Sequence, residues 1–313
     1  MANEQLEITQ DLFEFVKTDE KASEHIAAPQ YSYWKSVFRK FFSSKVAIAM
    51  LVLSGVIVLM SFIHPLISGY SPMVTPNINN PSTWFNPPSA AEWFGTDNVG
   101  NSLFDGIWVG TRNSLSIALI TSGISIIIGV IVGMFWGYSR KMDAIMLNVY
   151  NVVANIPYLL LVIVLMYSLG RGIPQMIFSL SCTNWLGVAY FIRVQVMIIR
   201  DREYNLASEC LGTKRSTIIT HNVFPYLISV IMTQISRDIP MFISYEVFLT
   251  FVGNGLSEKD ASLGRMVQRF SAYMTSSPYL FWIPVIISAA ISVSLYIVGQ
   301  TLADASDPRT HMM

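Results

Sequence analysis

Apolar residues along this chain are gathered into long runs rather than spread at the two-residue or three-to-four-residue spacing of a half-buried soluble element. Six runs stand out, at residues 46–67, 115–136, 147–169, about 176–197, 227–252 and 281–302. A helix needs roughly 20 such residues to cross about 30 Å of hydrocarbon, and each run meets that length. The pattern therefore predicts an all-α polytopic membrane protein with six transmembrane helices. The third run is interrupted by Asn148, Asn151, Asn155 and Pro157, and the fifth carries Gln234, Arg237, Asp238 and Glu246. The expected organisation is a tail and interfacial helix at 1–45, a first span at 46–67, an extracytoplasmic loop at 68–114, a five-helix core at 115–302 with a cytoplasmic loop at 200–225, and a cytoplasmic tail at 303–313.

The segments between the runs sharpen this picture. Residues 1–30 are acidic and polar and read as a cytoplasmic tail. Trp34, Val37, Phe38, Phe41 and Phe42 recur at helical spacing beside Lys35, Arg39 and Lys40, which suits a helix lying in the headgroup layer or, alternatively, the positively charged start of span one. No small-residue cleavage site follows span one, so it is expected to stay as an anchor. The outer segment is broken by Pro72, Pro76, Pro81, Pro87 and Pro88 and reads as an irregular loop as far as Arg112. Basic residues crowd three regions that must share a side: Lys35, Arg39, Lys40 and Lys45, then Arg140 and Lys141, then Arg193, Arg200, Arg202, Lys214 and Arg215. The opposite side has only Arg112, Arg171, Lys259, Arg265 and Arg269. The positive-inside rule then puts both termini in the cytoplasm.

Composition agrees and narrows the chemistry. Of the 313 residues 52% are apolar and 13% charged, against about 25% charged in a soluble domain. Twenty basic and twenty acidic residues balance, which leaves no footprint for a nucleic-acid backbone. Cys182 and Cys210 cannot make a disulfide framework, and His25, His64, His221 and His311 are too dispersed for a metal motif. No nucleotide-cradling G-x-x-x-x-G-K-[ST] loop occurs, so the chain itself is not expected to hydrolyse ATP. Gly129, Gly133 and Gly137 repeat every four residues in span two and clear one helix face for close packing. In span five, Arg237, Asp238 and Glu246 each cost roughly 2.5–3.5 kcal/mol in hydrocarbon, so they are expected to face another subunit or a water-filled cavity, with Gln234 beside them.

The loop RDREYNLASECLGTKRSTIITHNVFP, residues 200–225, is long for a connection between spans. Residues 202–211 have helix-forming composition, Gly212 suits a left-handed helix end, and Thr213 could cap a second helix ending at Asn222, before Pro225. Tyr204, Leu206, Ala207, Leu211, Ile218, Ile219 and Val223 give the pair an apolar face. That face fits a partner's groove or the chain's own inner surface equally well.

This loop resembles the EAA loop of membrane subunits of bacterial ABC importers, with Ala207, Ser208, Gly212, His221 and Pro225 in register. FGTDNVGNSLFDGIWVGTRNSL (residues 94–115), EVFLTFVGNG (246–255) and LADASDPR (302–309) resemble further motifs of the branch that imports peptides, the C-type permeases of oligopeptide and dipeptide importers. The resemblance implies the ABC importer permease fold in a prokaryotic inner membrane. It also implies a second homologous permease, two ABC ATPase subunits that hold ATP and Mg, and an extracytoplasmic peptide-binding protein, with membrane lipid around the assembly and no cofactor in this chain. The 200–225 loop is then the ATPase-coupling element. Leu206 stands where the pattern has its glutamate, a role Glu203 or Glu209 could take over, and Asn101 and Ser102 replace an Arg-Asp pair. The cargo is expected to be oligopeptides, with dipeptides or nickel chelates as alternatives. An ion-coupled secondary transporter is the rival class, and it would leave the long loop unexplained.

Overall fold

The computed structural model describes residues 33–75 and 77–306. The acidic tail at 1–30 and the DPR of the last motif lie outside them. Among the described residues all regular structure is helical, apart from one isolated bridge between Thr96 and Ser102. Five helices among the described residues are long and apolar enough to cross a membrane, and two shorter helices, bent against each other, make a sixth span if they are counted together.

Helix α1 (Tyr33–Ser43) is amphipathic. Val37 and Phe41 are buried against Ala47 and Ala305, while Trp34, Phe38 and Phe42 are exposed. One residue later α2 (Lys45–Ser68) begins, capped by the Ser44 hydroxyl, which accepts from the Ala47 amide, and it ends at left-handed Gly69. The third helix, α3 (Leu103–Tyr138), starts earlier than the apolar run suggested, so the outer segment is irregular only as far as Ser102. The Ser102 hydroxyl accepts from the Asp105 amide, an N-cap with an acid in the first turn. His64 near the end of α2 bonds Asp105 at 2.7 Å and ties the first two spans together.

The predicted third span is broken. It consists of α4 (Arg140–Ala154) and α5 (Tyr158–Leu169), bent by 79°. Pro157 has no N–H to continue the ladder, and its ring disfavours the helical region for the preceding Ile156. Four residues later α6 (Ile173–Arg200) returns across the bundle. Then follow α7 (Glu203–Cys210), the continuous helix α8 (Arg215–Phe251), the short α9 (Leu263–Phe270) and α10 (Pro278–Ser306).

Helix α3 is the centre, with half of its apolar window buried, against 17% for α10. It packs along α6 and also against α2 and α8, and α10 closes the ring against α8 and α2. Gly129, Gly133 and Gly137 all lie on the α3–α6 seam. A Cβ on Gly133 would sit 2.6 Å from the Ala189 carbonyl, and one on Gly137 would sit 2.7 Å from that of Arg193. Backbone meets backbone there, which only glycine permits. At one end of the seam Arg193 forms a two-pronged ion pair with Asp143, which also accepts from Trp136 Nε1 at 2.8 Å. The guanidinium lies over the rings of Trp136 and Tyr190. Arg193 therefore belongs to the interior and not to a basic loop.

Two large apolar clusters make up most of the bundle's interior. One joins Leu103, Ile107, Leu115, Met176, Phe242 and Leu280, and the other joins Ile126, Met134, Val188, Ile192, Ile218 and Leu227. The second lies at the end that carries residues 200–225, hereafter the elbow end. Helix α1 and the end of α10 pack together at this same end, and residues 69–102 lie at the other.

Candidate functional site

The elbow is built by local signals. Helix α7 ends in a Schellman motif, in which the Gly212 amide donates to Glu209 O and the Thr213 amide to Ser208 O, both at 3.0 Å. Gly212 has φ 79° with nothing within 4 Å of where a Cβ would stand. The chain then turns back into α8, whose N-cap is Lys214 rather than Thr213. The second helix does not stop at Asn222. It widens into a π segment (Ile218–Val223) and runs on through Pro225 into span five. Pro225 explains the widening: it lacks an N–H and would crowd the carbonyl four residues back, so an added residue in the turn moves that carbonyl away. The Phe224 amide accordingly reaches back five residues to Ile219 O.

The apolar face expected of the pair is divided in two. Ile218, Ile219 and Val223 are buried against α3 and α6, which seats the elbow on its own bundle. Tyr204, Leu206 and Leu211 point outward, and Leu211 at the tip is 86% exposed. Asn205, which composition did not single out, joins the two arms: its Nδ2 donates to Ile199 O at 2.9 Å, and its Oδ1 accepts from Asn222 Nδ2 at 3.0 Å. The stacked rings of Tyr204 and Tyr226 reinforce the link. Glu203, Ala207, Glu209, His221 and Pro225 are exposed and Ser208 half-buried. Glu209 pairs with Arg215 at 3.4 Å. His221 sits in the π segment, its Nδ1 near the Thr217 carbonyl and the Thr220 hydroxyl. A cleft of about 470 Å³ beside the ridge is lined by Leu206, Glu209, Arg215, Arg140 and Lys141. At its edge the Arg200 guanidinium holds the Asp201 carboxyl below the usual carboxylate range.

The polar groups of span five do not share one surface. Arg237 is exposed, whereas Asp238 and Glu246 are enclosed by the chain's own helices, at 1% and 0% exposure. The sequence leads one to expect all three against another subunit or a water-filled cavity; of the three, only Arg237 lies on this chain's surface. Gln234 Nε2 donates to Asp238 Oδ1 at 2.7 Å. Glu246 accepts from the Ser114 hydroxyl at 2.7 Å and from that of Thr250 at 3.2 Å, and Ser114 in turn accepts from the Leu263 amide. Asn113 adds a bond to Ala261 O at 2.7 Å. The buried carboxylate thus draws α3, α8 and the start of α9 together, with its lone pairs satisfied as burial demands.

Residues 125–312 match the family described as the binding-protein-dependent transport system inner membrane component, and residues 32–88 match the N-terminal TM domain of oligopeptide transport permease C. The oligopeptide transport system permease protein AmiD of Streptococcus pneumoniae is 50% identical over 304 residues, which cover 97% of this chain and 99% of the relative. OppC, an oligopeptide transport system permease protein of Bacillus subtilis, is 31% identical over 96% of this chain and 98% of its own length. The dipeptide transport system permease protein DppC of the same organism is 34% identical over 94% and 92%. The chain belongs to this family of transport permeases.

In this permease the resembling segments divide by role. FGTDNVGNSL is a folded turn at the far end: Asp97 Oδ1 accepts from the Val99 and Asn101 amides, Gly95 and Gly100 have positive φ, and Tyr279 donates to Thr96 O. The Ser114 of the first motif and the Glu246 of the second form the network just described, so two distant sequence signals are one hydrogen-bonded unit. Gly264 completes it, because a Cβ there would stand 2.9 Å from Glu246 Oε1. The LGTKRST stretch differs from these in leaving its apolar tip uncovered.

Proposed function

We propose that this permease is one of two membrane subunits of an ATP-driven importer of peptides, and that residues 203–225 are where partner ATPase subunits grip it. The observation that carries this reading is the exposed ridge of Tyr204, Leu206 and Leu211 on an elbow that is itself rigidly seated. A mobile loop would dissipate a push. This one is clamped by Asn205 and Asn222 and continues without interruption into α8, which is about 55 Å long at 1.5 Å per residue. Displacement of the elbow is carried along α8 through the π segment, a kind of irregularity that recurs at functional sites. The names of AmiD and OppC support peptides as cargo. Lys35, Arg39, Lys40, Arg140, Lys141, Arg202, Lys214 and Arg215 gather at the elbow end, which supports a cytoplasmic elbow and cytoplasmic termini under the positive-inside rule. A second permease completes the pathway, a binding protein delivers the peptide at the face carrying residues 69–102, and ATP with Mg²⁺ is held by the ATPases. At the position of the family's glutamate, Leu206 gives the grip an apolar character, flanked by the exposed Glu203 and by Glu209 in its pair with Arg215.

Uptake into membrane vesicles tests this directly. Vesicles holding the assembled complex are expected to accumulate binding-protein-delivered peptide when ATP is present on the elbow side, with or without an ion gradient. Uptake driven by an ion gradient with ATP withheld would contradict the proposal and favour a secondary transporter.

A further inference from the structure

The broken third span carries a polar face that nothing among the described residues covers. Asn148 and Asn151 are exposed on α4 and Asn155 is exposed at its C-cap, at spacings of three and four that place them on one side. The same spacing sets exposed Ile145 and Val152 along the edge of that side, whereas exposed Val149 lies about 160° around the helix from Asn151. Asn148 and Asn155 each donate one bond back to their own helix, to Ala144 O and Asn151 O, and the side chain of Asn151 makes none. Three amides turned to hydrocarbon would leave their remaining donors and acceptors unpaired, at a cost that lipid cannot relieve. The side that carries Val149 suits lipid and the asparagine side does not.

The stripe ends at the break. There Ile156 and Pro157 border a cleft of about 410 Å³, lined also by Tyr158, Asn184 and Tyr245. Irregular backbone at membrane depth is tolerated only where it is buried in protein or lines a watery cavity. On the cleft wall Thr183 Oγ1 and Asn184 Nδ2 are buried without a hydrogen-bond partner. Helix α5 begins at the cleft with no side chain capping its first amides. Donors and acceptors are thus left open along the whole strip, and none of the asparagines carries a charge.

Building on the function proposed above, we infer that Asn148, Asn151, Asn155 and the cleft at the α4–α5 break form the surface along which an extended peptide main chain passes. A carboxamide side chain offers the same donor and acceptor as a peptide bond, so it recognises main chain irrespective of the cargo's side chains. The stripe spans about 10 Å of helix axis, the length of about three extended residues. Neutral amides exchange bonds with water readily, whereas an ion pair would hold a peptide terminus in place.

The test uses the complete transporter, with Cys182 and Cys210, both exposed, replaced by serine. ATP-driven uptake by this parent is measured first and tests the underlying function separately. Asn151→Cys and Val149→Cys are then compared for reaction with a charged, membrane-impermeant methanethiosulfonate. Because the thiolate reacts and hydrocarbon suppresses it, Asn151→Cys is expected to label on the order of tenfold faster or more. A transported peptide should slow that labelling. Equal rates at the two positions, or an inert Asn151→Cys that instead cross-links to the second permease, would overturn the inference in favour of a subunit seam. In parallel, the triple variant Asn148→Leu, Asn151→Leu, Asn155→Leu should lose most uptake yet keep binding-protein-stimulated ATP hydrolysis; undiminished uptake would equally overturn it.

Discussion

Leu211→Asp should leave the permease folded and inserted while it strips away the partner ATPases and with them ATP-driven uptake. At the wild-type tip the leucine is 86% exposed and followed by an unencumbered Gly212, so no internal contact is lost on substitution. If the tip is the centre of the grip, burying a carboxylate there costs at least about 2 kcal/mol, roughly a thirtyfold loss of affinity. The measurement is the amount of ATPase retained on the affinity-purified permease, with the variant's melting temperature as the fold control. Full retention with normal uptake would place the grip elsewhere. His221, exposed on the π segment, provides the comparison: His221→Ala removes a smaller surface and should cost less.

A second large effect is expected at the opposite extreme of burial. Gly133→Leu forces a side chain into the α3–α6 seam, where the Cβ alone would stand 2.6 Å from Ala189 O and 2.8 Å from Ile192 Cβ. The carbonyl is backbone and cannot rotate away, so the helices must part along the contact that seats the elbow's cluster of Ile218, Ile219 and Val223. Overpacking of this kind costs about 1–3 kcal/mol and more where backbone blocks relief. The variant should lower the melting temperature in detergent and the yield of assembled complex. Gly123→Leu on the same helix is the control, because nothing lies within 4 Å of its Cβ position. Equal behaviour of the two variants would show the seam to be looser than its geometry implies.

How much of this could be read from sequence depended on range. The six apolar runs, the Gly212 helix end and the glycine stripe are signals carried within a few residues, and the chain expresses them locally. The early start of α3 was present as Ser102 followed by Asp105 but was masked by the mixed polarity of residues 103–114. Pro157 marked the break, yet a run of apolar residues on both sides made one continuous span look equally good. Long-range partners left no trace in local pattern. Glu246 looks like a pathway carboxylate until Ser114, 132 positions away, closes over it. Arg193 looks like a loop cation until Asp143 and Trp136 enclose it. Asn205 and Asn222 look like ordinary loop residues until the fold brings them within 3.0 Å. Charges misled because burial by the chain itself and burial by a partner impose the same cost, and only tertiary structure separates them.

The most direct test places a photo-activated cross-linking side chain at position 211 of the assembled importer, in its membrane. The account predicts a covalent adduct between this tip and a nucleotide-hydrolysing subunit, with a yield that changes between the nucleotide-free and ATP-bound states. An adduct confined to lipid, to the permease itself or to its homologous partner, in a complex that still imports peptide, would contradict it.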